Sequence, residues 1–262
     1  MVIGFDIGNT NTLAGIYRDD AIVPDETFRY HTDKQASAAS IFETLGGFIE
    51  NVLAGGRDTI NGIVCSSVVP DLVGVVRELA RSRFGVNALN VSHECRLSLK
   101  IMYADPSKLG ADRIANAEAV CREYQGDCII ADIGTAATLC VILSDGTFDG
   151  GLIAPGIGVT IDALAQKASN LHKIVLEKPS RLVARDTEDA LKSGFFYGWL
   201  SMLEGLISRI EKSYGMAFKV IFTGGFAGIL SPFMERTVIN DPLLTMKGIK
   251  YIYDNNRLEA HK

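Results

Sequence analysis

Two stretches of this chain carry the same local pattern. VIGFDIGNTNT near the start and CIIADIGTAAT near the middle each run from apolar β-formers into an acid, a glycine and small polar residues. The acids are Asp6 and Asp132, 126 positions apart in a chain of 262, so the copies sit at matching points of two halves. That spacing implies an internal duplication, with halves expected at residues 1–125 and 126–262. Each apolar run reads as a buried central strand, and Gly8 or Gly134 permits the sharp reversal that follows it. Such a loop offers backbone N–H groups and hydroxyls to phosphate oxygens, while a carboxylate at the strand end holds a hydrated divalent metal beside them. The candidate phosphate-binding residues are Asp6, Ile7, Gly8, Asn9, Thr10, Asn11, Thr12 and Leu13 in the first copy, and Gly134 and Thr135 in the second. One strand–Asp–Gly–Thr string alone is a common turn. Two of them at this spacing point to a clamp on a polyphosphate, in a cleft expected between the halves.

Composition narrows the function classes. Hydrophobic residues make up 47% of the chain, enough for one large domain or two small ones with a substantial core. The net charge of −5 and pI of about 5.4 give no basic field for nucleic acid or an anionic membrane. The cysteines, Cys65, Cys95, Cys121, Cys128 and Cys140, are scattered, mostly in apolar runs, and form no CxxC pair; His31, His93, His172 and His261 are far apart in sequence. Neither pattern suggests a zinc cluster, and no structural metal is expected. No uninterrupted apolar run reaches about 18 residues and no signal-peptide pattern opens the sequence, so a cytoplasmic location is expected.

Periodicity predicts strands at 2–6, 12–18 and 25–30, and a helix over 35–54 with Ile41, Leu45, Phe48, Ile49 and Leu53 on one face. The strand INGIVCSSV and a helix opening at Pro70-Asp71 follow. The second half repeats the order with strands at 127–132, 137–144 and 147–153, a helix from 187 to about 214, the strand KVIFTGG and a last helix near 243–254. This is an α/β pattern of two mixed sheets flanked by helices, in which ligands gather at the carboxyl ends of strands.

Paired DxG-T loops in duplicated halves resemble the ribonuclease-H-like fold shared by actin, sugar kinases and heat-shock ATPases. Four further strings, YADPSKLGADRIANAEAV (103–120), GGLIAPGI (150–157), DTEDALKSG (186–194) and TGG (223–225), make the chain similar to type III pantothenate kinases in particular. The resemblance implies ATP-dependent phosphorylation of pantothenate to 4′-phosphopantothenate, the first step of coenzyme A biosynthesis. It implies ATP and Mg²⁺ as cofactors, with a monovalent cation, K⁺ or NH₄⁺, at Asp132 and Mg²⁺ held through water by Asp6. Asp112 of LGADR becomes the base that takes the proton from the substrate hydroxyl. Tyr103, Gly110, Ala111, Asp112 and Arg113 become the pantothenate segment, with Gly156 bordering the pocket, and Gly224 and Gly225 form the adenosine loop.

These residue types suit those roles. Arg113 is a planar cation matched to a carboxylate, Tyr103 offers a hydroxyl with an apolar face, and Gly110 lets a ligand approach closely. Phosphoryl transfer needs alignment and charge neutralisation more than covalent help. Purely structural roles compete for each residue: Asp112 as a first-turn acid favoured by a helix dipole, Arg113 as a partner of Asp105, TGG and DGGLIAPGI as ordinary turns. Thr187 opens the long helix and is either its cap or, by the resemblance, a group that reaches pantothenate bound by a neighbouring subunit. In the second case Asp186 caps instead and the enzyme works as a homodimer. The apolar string FFYGWL is core or, as we expect, dimer interface. The alternatives are a non-catalytic nucleotide-binding regulator of the same fold and a kinase of another small hydroxy acid or sugar.

Overall fold

The computed structural model describes residues 1–53, 59–168 and 170–257, and the chain divides into two compact units, Met1–Tyr124 with Leu243–Lys262, and Gln125–Pro242. In the first unit, β1 (Val2–Ile7), β2 (Asn11–Tyr17) and β3 (Glu26–His31) lead to α1 (Ala38–Leu53), β4 (Gly62–Ser67) and α2 (Pro70–Leu79). Then come a π-helical turn at Ala80–Phe84, β5 (Ala88–Asn90), β6 (Lys100–Ile101), a 3-10 turn at Pro106–Lys108 and α3 (Ala111–Glu123). The second unit contains β7 (Cys128–Ile133), β8 (Ala136–Ile142), β9 (Thr147–Pro155), α4 (Ile157–Lys167), α5 (Thr187–Tyr214), β10 (Lys219–Thr223), α6 (Ala227–Leu230) and β11 (Ile239–Asn240). The chain closes with α7 (Leu244–Arg257).

The duplication is explicit in the sheets. The first runs β3-β2-β1-β4-β5, and within the second unit the strands run β9-β8-β7-β10-β11, the same order element for element. In each, the central strand pairs antiparallel with the next strand and parallel with the fourth. Buried on both faces, these central strands read as continuous apolar runs, which is why they are legible in the sequence.

The pleat decides which side each residue serves. Ile3, Phe5 and Ile7 of β1 join Ile63 and Cys65 of β4 in a core with Ile41, Leu45 and Ile49 of α1 and Leu72 and Val76 of α2. Asp6 and Ser66 therefore face the opposite side, which α3 and α7 cover. There three glycines take side chains against bare backbone: Gly4 meets Ile249 and the Tyr17 ring, Gly15 meets Met246, and Gly62 meets Tyr253. The Tyr17 hydroxyl donates to the Met246 carbonyl at 2.7 Å.

A division at 125/126 gives the last helix to the second half; the structure places α7 in the first unit. The physical reason is a close crossing in which Gly248 lies against the Ala115 backbone of α3. Polar bonds lock it: Thr245 donates to Asn116 at 2.8 Å, Asn255 to the fully buried Glu118 at 3.0 Å, and Lys247 pairs with Glu123 at 2.8 Å. The helix α4 is not among the predicted elements, because GLIAPGI suggests turn chemistry. Most of that string is the end of β9, and Ile157 and Ile161 then begin a helix buried on that face. Ala54, at the expected end of the first helix, lies outside the described residues, as do His261 and the rest of 258–262.

A methyl group on Gly248 would sit 1.8 Å from the Ala115 carbonyl oxygen, whereas one on the exposed Gly74 of α2 meets nothing. Gly248→Ala is expected to lower stability by about 2–3 kcal/mol through overpacking. Gly74→Ala should raise it by about 0.5–1 kcal/mol through helix propensity. Urea unfolding of the two variants checks both signs.

Candidate active site

Each acid stands at the carboxyl end of a central strand, and each reversal is closed by one backbone bond. Gly8 N–H donates to Asn11 C=O at 3.0 Å, and Gly134 N–H donates to Ala136 C=O at 3.0 Å. The flanking pairs are Ile7 with Thr12 and Ile133 with Ala137, so the first loop is one residue longer than the second. The extra residue leaves Asn9, Thr10 and Asn11 exposed at the tip.

The first loop is braced from the segment after β3. Thr32 N–H donates to Thr10 C=O at 2.9 Å, the buried hydroxyls of Thr12 and Thr32 bond at 2.9 Å, and the Lys34 ammonium donates to Asn9 Oδ1 at 3.0 Å. Lys34 brings to the loop tip a cation that the motif does not reveal, because its place depends on the return of β3 rather than on local pattern. On the other flank, Val68 N–H donates to Ile7 C=O at 3.0 Å, tying the end of β4 to the end of β1.

Asp112 lies in the first turn of α3, behind the N-cap Gly110. A Cβ on Gly110 would come within 2.5 Å of an Asp112 carboxylate oxygen, so glycine is what lets the carboxylate fold back over the helix start. That oxygen accepts the Arg113 backbone N–H at 2.8 Å. Burial raises the Asp112 pKa above its ordinary value, opposed by the Arg113 N–H bond and the Arg113 charge. The Arg113 guanidinium is buried and lies 5.6 Å from the centroid of the Tyr103 ring, a cation–π contact. Asp105 caps the short 3-10 turn, accepting from the Ser107 N–H and hydroxyl at 3.1 and 2.6 Å. Ala111 is buried beneath the same turn. The first unit therefore brings Asp6, its loop, Tyr103, Gly110, Arg113 and Asp112 into one fold, with Asp6 and α3 on the same sheet face.

In the second unit, Gly224 has φ +90°, and a Cβ there would lie 2.5 Å from an Asp132 carboxylate oxygen and 2.7 Å from Ile133 N. The TGG turn is thus pressed onto the end of β7, fixed by Phe226 N–H donating to Ile133 C=O at 3.1 Å, and Gly225 leaves its backbone bare. Gly156 packs against the other side of the same hairpin. Its N–H donates to Thr135 C=O at 3.1 Å, and a Cβ would meet the Gly134 and Thr135 carbonyls at 2.3 Å. These contacts draw Asp132, Gly134, Thr135, Gly156 and Gly224 together. Thr187 is exposed at the first position of α5 and does not cap it: the Asp186 carboxylate accepts the Asp189 N–H at 2.9 Å. The string FFYGWL divides its residues, with Phe196, Trp199 and Leu200 in the unit's core. Phe195 instead lines an apolar groove of about 440 Å³ together with Pro155, Thr160, Leu164, Leu191 and Met202.

The donor sets suit hard cations bound by few protein ligands. Among the described residues no group of three or more His, Cys, Asp or Glu could hold a metal ion. Beside Asp6, the buried Ser66 hydroxyl has no hydrogen-bond partner among the described residues, a polar atom placed to meet a hydrated ion. No helix among the described residues is long and apolar enough to cross a membrane.

Comparison with known proteins gives relatives over nearly the whole chain. The family model described as type III pantothenate kinase matches residues 2–209. The chain is 35% identical over 256 residues to a type III pantothenate kinase of Halalkalibacterium halodurans, covering 98% of this chain and 100% of that one. It is also 35% identical over 260 residues to the enzyme of that name from Geobacter sulfurreducens, covering 98% and 100%. Among solved structures, the inorganic polyphosphate/ATP-glucomannokinase of Arthrobacter sp. strain KM superposes with a TM-score of 0.50 at 15% identity, covering 96% of each chain, a likeness of fold alone.

The raised Asp112 pKa has a stability consequence with a definite sign. A carboxyl whose folded pKa lies above its unfolded one binds protons more readily when folded, so its charge weighs against folding above the folded pKa. That cost disappears as pH falls below the unfolded value. Asp112→Asn should melt higher than the parent at pH 7, with the gain fading as pH drops through the carboxylate range; calorimetry across pH measures it.

Proposed function

We propose, from the premise that this chain belongs to the type III pantothenate kinase family, that it transfers the terminal phosphoryl group of ATP to the primary hydroxyl of pantothenate. The product is 4′-phosphopantothenate, which opens coenzyme A synthesis. The observation that carries the reading is a half-buried carboxylate, Asp112, aimed from a glycine-capped helix start on the same sheet face as the strand-end acid Asp6.

Each residue has a stated task. The backbone N–H groups and hydroxyls from Gly8 to Thr12 hold phosphate oxygens, and Lys34 adds a positive charge at the loop tip. Asp6 would hold Mg²⁺ through water, and the ion would supply positive charge to the transferred phosphoryl oxygens. Asp112 accepts the proton of the attacking hydroxyl and aims it. Its raised pKa brings it nearer to the working pH of a general base. Arg113, held over Tyr103, meets the substrate carboxylate, a bond for which a planar guanidinium is suited. In the second unit, Gly224 and Gly225 offer bare backbone to adenosine, Gly134 and Thr135 offer groups to phosphate oxygens, and Asp132 would hold a monovalent cation.

We also place the enzyme in the cytoplasm as a homodimer. None of the five cysteines forms a disulfide. The groove between α4 and α5 and the exposed Val159 and Ile153 give the second unit an apolar face suited to a second copy. Thr187, relieved of capping by Asp186, is left for pantothenate bound by the partner.

Purified protein incubated with ATP, Mg²⁺, K⁺ and pantothenate should form 4′-phosphopantothenate, and Asp112→Asn should reduce kcat by about 10²-fold or more. Unchanged turnover in the variant would remove Asp112 as the base. Exchanging K⁺ for Na⁺ should lower the rate, and equal rates in both salts would discard the cation at Asp132. Activity per chain should fall on dilution to monomers followed by sedimentation; a constant value would exclude a shared site.

A further inference from the structure

The fully buried Ser66 hydroxyl is an unexplained atom among the described residues of the first unit. It has no hydrogen-bond partner among the described residues, although an unpaired buried hydroxyl costs free energy that alanine would avoid. Its neighbour Ser67 shows the contrast, since its hydroxyl accepts the Val69 N–H at 3.1 Å and donates to the Val69 carbonyl at 2.9 Å. Ser67 shapes the turn into α2. Ser66 shapes nothing.

Its position is specific. The parallel register of β1 and β4 sets Ser66 directly beside Asp6, and the pleat puts both side chains on the face turned away from the core of α1 and α2. The bond from Val68 to Ile7 holds the two strand ends together, so the hydroxyl and the carboxylate keep their spacing. The second unit repeats the arrangement independently, with buried Thr223 of β10 beside Asp132 of β7. A hydroxyl residue thus stands beside the strand-end acid in both units, within different strings, IVCSS in one and VIFTG in the other.

We propose that Ser66 is a positioning residue of the donor site, whose hydroxyl bonds a water in the shell of the divalent ion held by Asp6 and so fixes the ion's place beside the Gly8–Leu13 loop. The inference rests on the reading that Asp6 holds that ion. Ser66 makes no contact with the transferred group; it acts through the hydrated ion, as outer-shell partners do elsewhere.

The test uses the full chain with Mn²⁺ and a non-hydrolysable ATP analogue, following Mn²⁺ by water-proton relaxation enhancement, together with melting temperature. Wild type should form the ternary complex and Asp6→Asn should lose it. Ser66→Ala should bind Mn²⁺ about tenfold more weakly while melting at or above the wild-type temperature, and Ser66→Thr, which copies the second unit, should recover part of the affinity. In steady state the Mg²⁺ concentration for half-maximal rate should rise in Ser66→Ala more than the pantothenate KM does. Wild-type Mn²⁺ affinity in Ser66→Ala, with Asp6→Asn defective, would overturn the inference and leave the Asp6 reading standing. A lowered melting temperature in Ser66→Ala with intact Mn²⁺ binding would also overturn it, by showing a structural role. Asp6→Asn binding Mn²⁺ as wild type does would overturn the Asp6 reading itself, and this inference with it.

Discussion

The register of a central strand between one antiparallel and one parallel neighbour is the constraint from which the rest of this structure follows. It is met twice, by β1 between β2 and β4 and by β7 between β8 and β10. Because side chains alternate across a pleat, that register sends Phe5 and Ile7, or Ala131 and Ile133, into the helical core while Asp6 and Asp132 emerge on the other face. A slip of one residue would bury a carboxylate in each core and expose the apolar set. The acids are therefore held by the whole sheet, and a glycine reversal follows each one.

Close packing explains how Asp112 is delivered. Nearly every residue of α3 from Ala111 to Val120 is buried, and α7 lies so close to it that only glycine fits at 248. Packing of that density fixes the helix start to within little freedom. The carboxylate there is taken partly out of water, raising its pKa and making the ionised form costly to the fold. Asp112 thus weighs against folding at the mouth of a rigid helix, beside a buried arginine over Tyr103, and shifted groups of this kind are candidates for functional sites.

What the sequence disclosed followed from how local each signal was. The central strands, the glycine turns after Asp6 and Asp132 and a helix start near Asp112 are set within a few neighbouring residues, and all were legible. The cap of α5 was left between Thr187 and Asp186, and the structure assigns it to Asp186. The transfer of α7 to the first unit was not, because Gly248 against Ala115 is a contact across 133 positions with no local sign. Lys34 and Ser66 were missed for the same reason, one reaching Asn9 by the return of β3, the other meeting Asp6 through a parallel crossover. The helix α4 was missed because Pro155 and Gly156 read as a turn, although Gly156 is demanded by the carbonyls of the Gly134 hairpin.

The most direct measurement is a crystal structure of the chain with a non-hydrolysable ATP analogue, Mg²⁺ and pantothenate. The account predicts the terminal phosphates on the backbone N–H groups of Gly8 to Thr12 and the primary hydroxyl of pantothenate hydrogen-bonded to the Asp112 carboxylate. A phosphate tail bound away from that loop, or a hydroxyl that points away from Asp112, would contradict it.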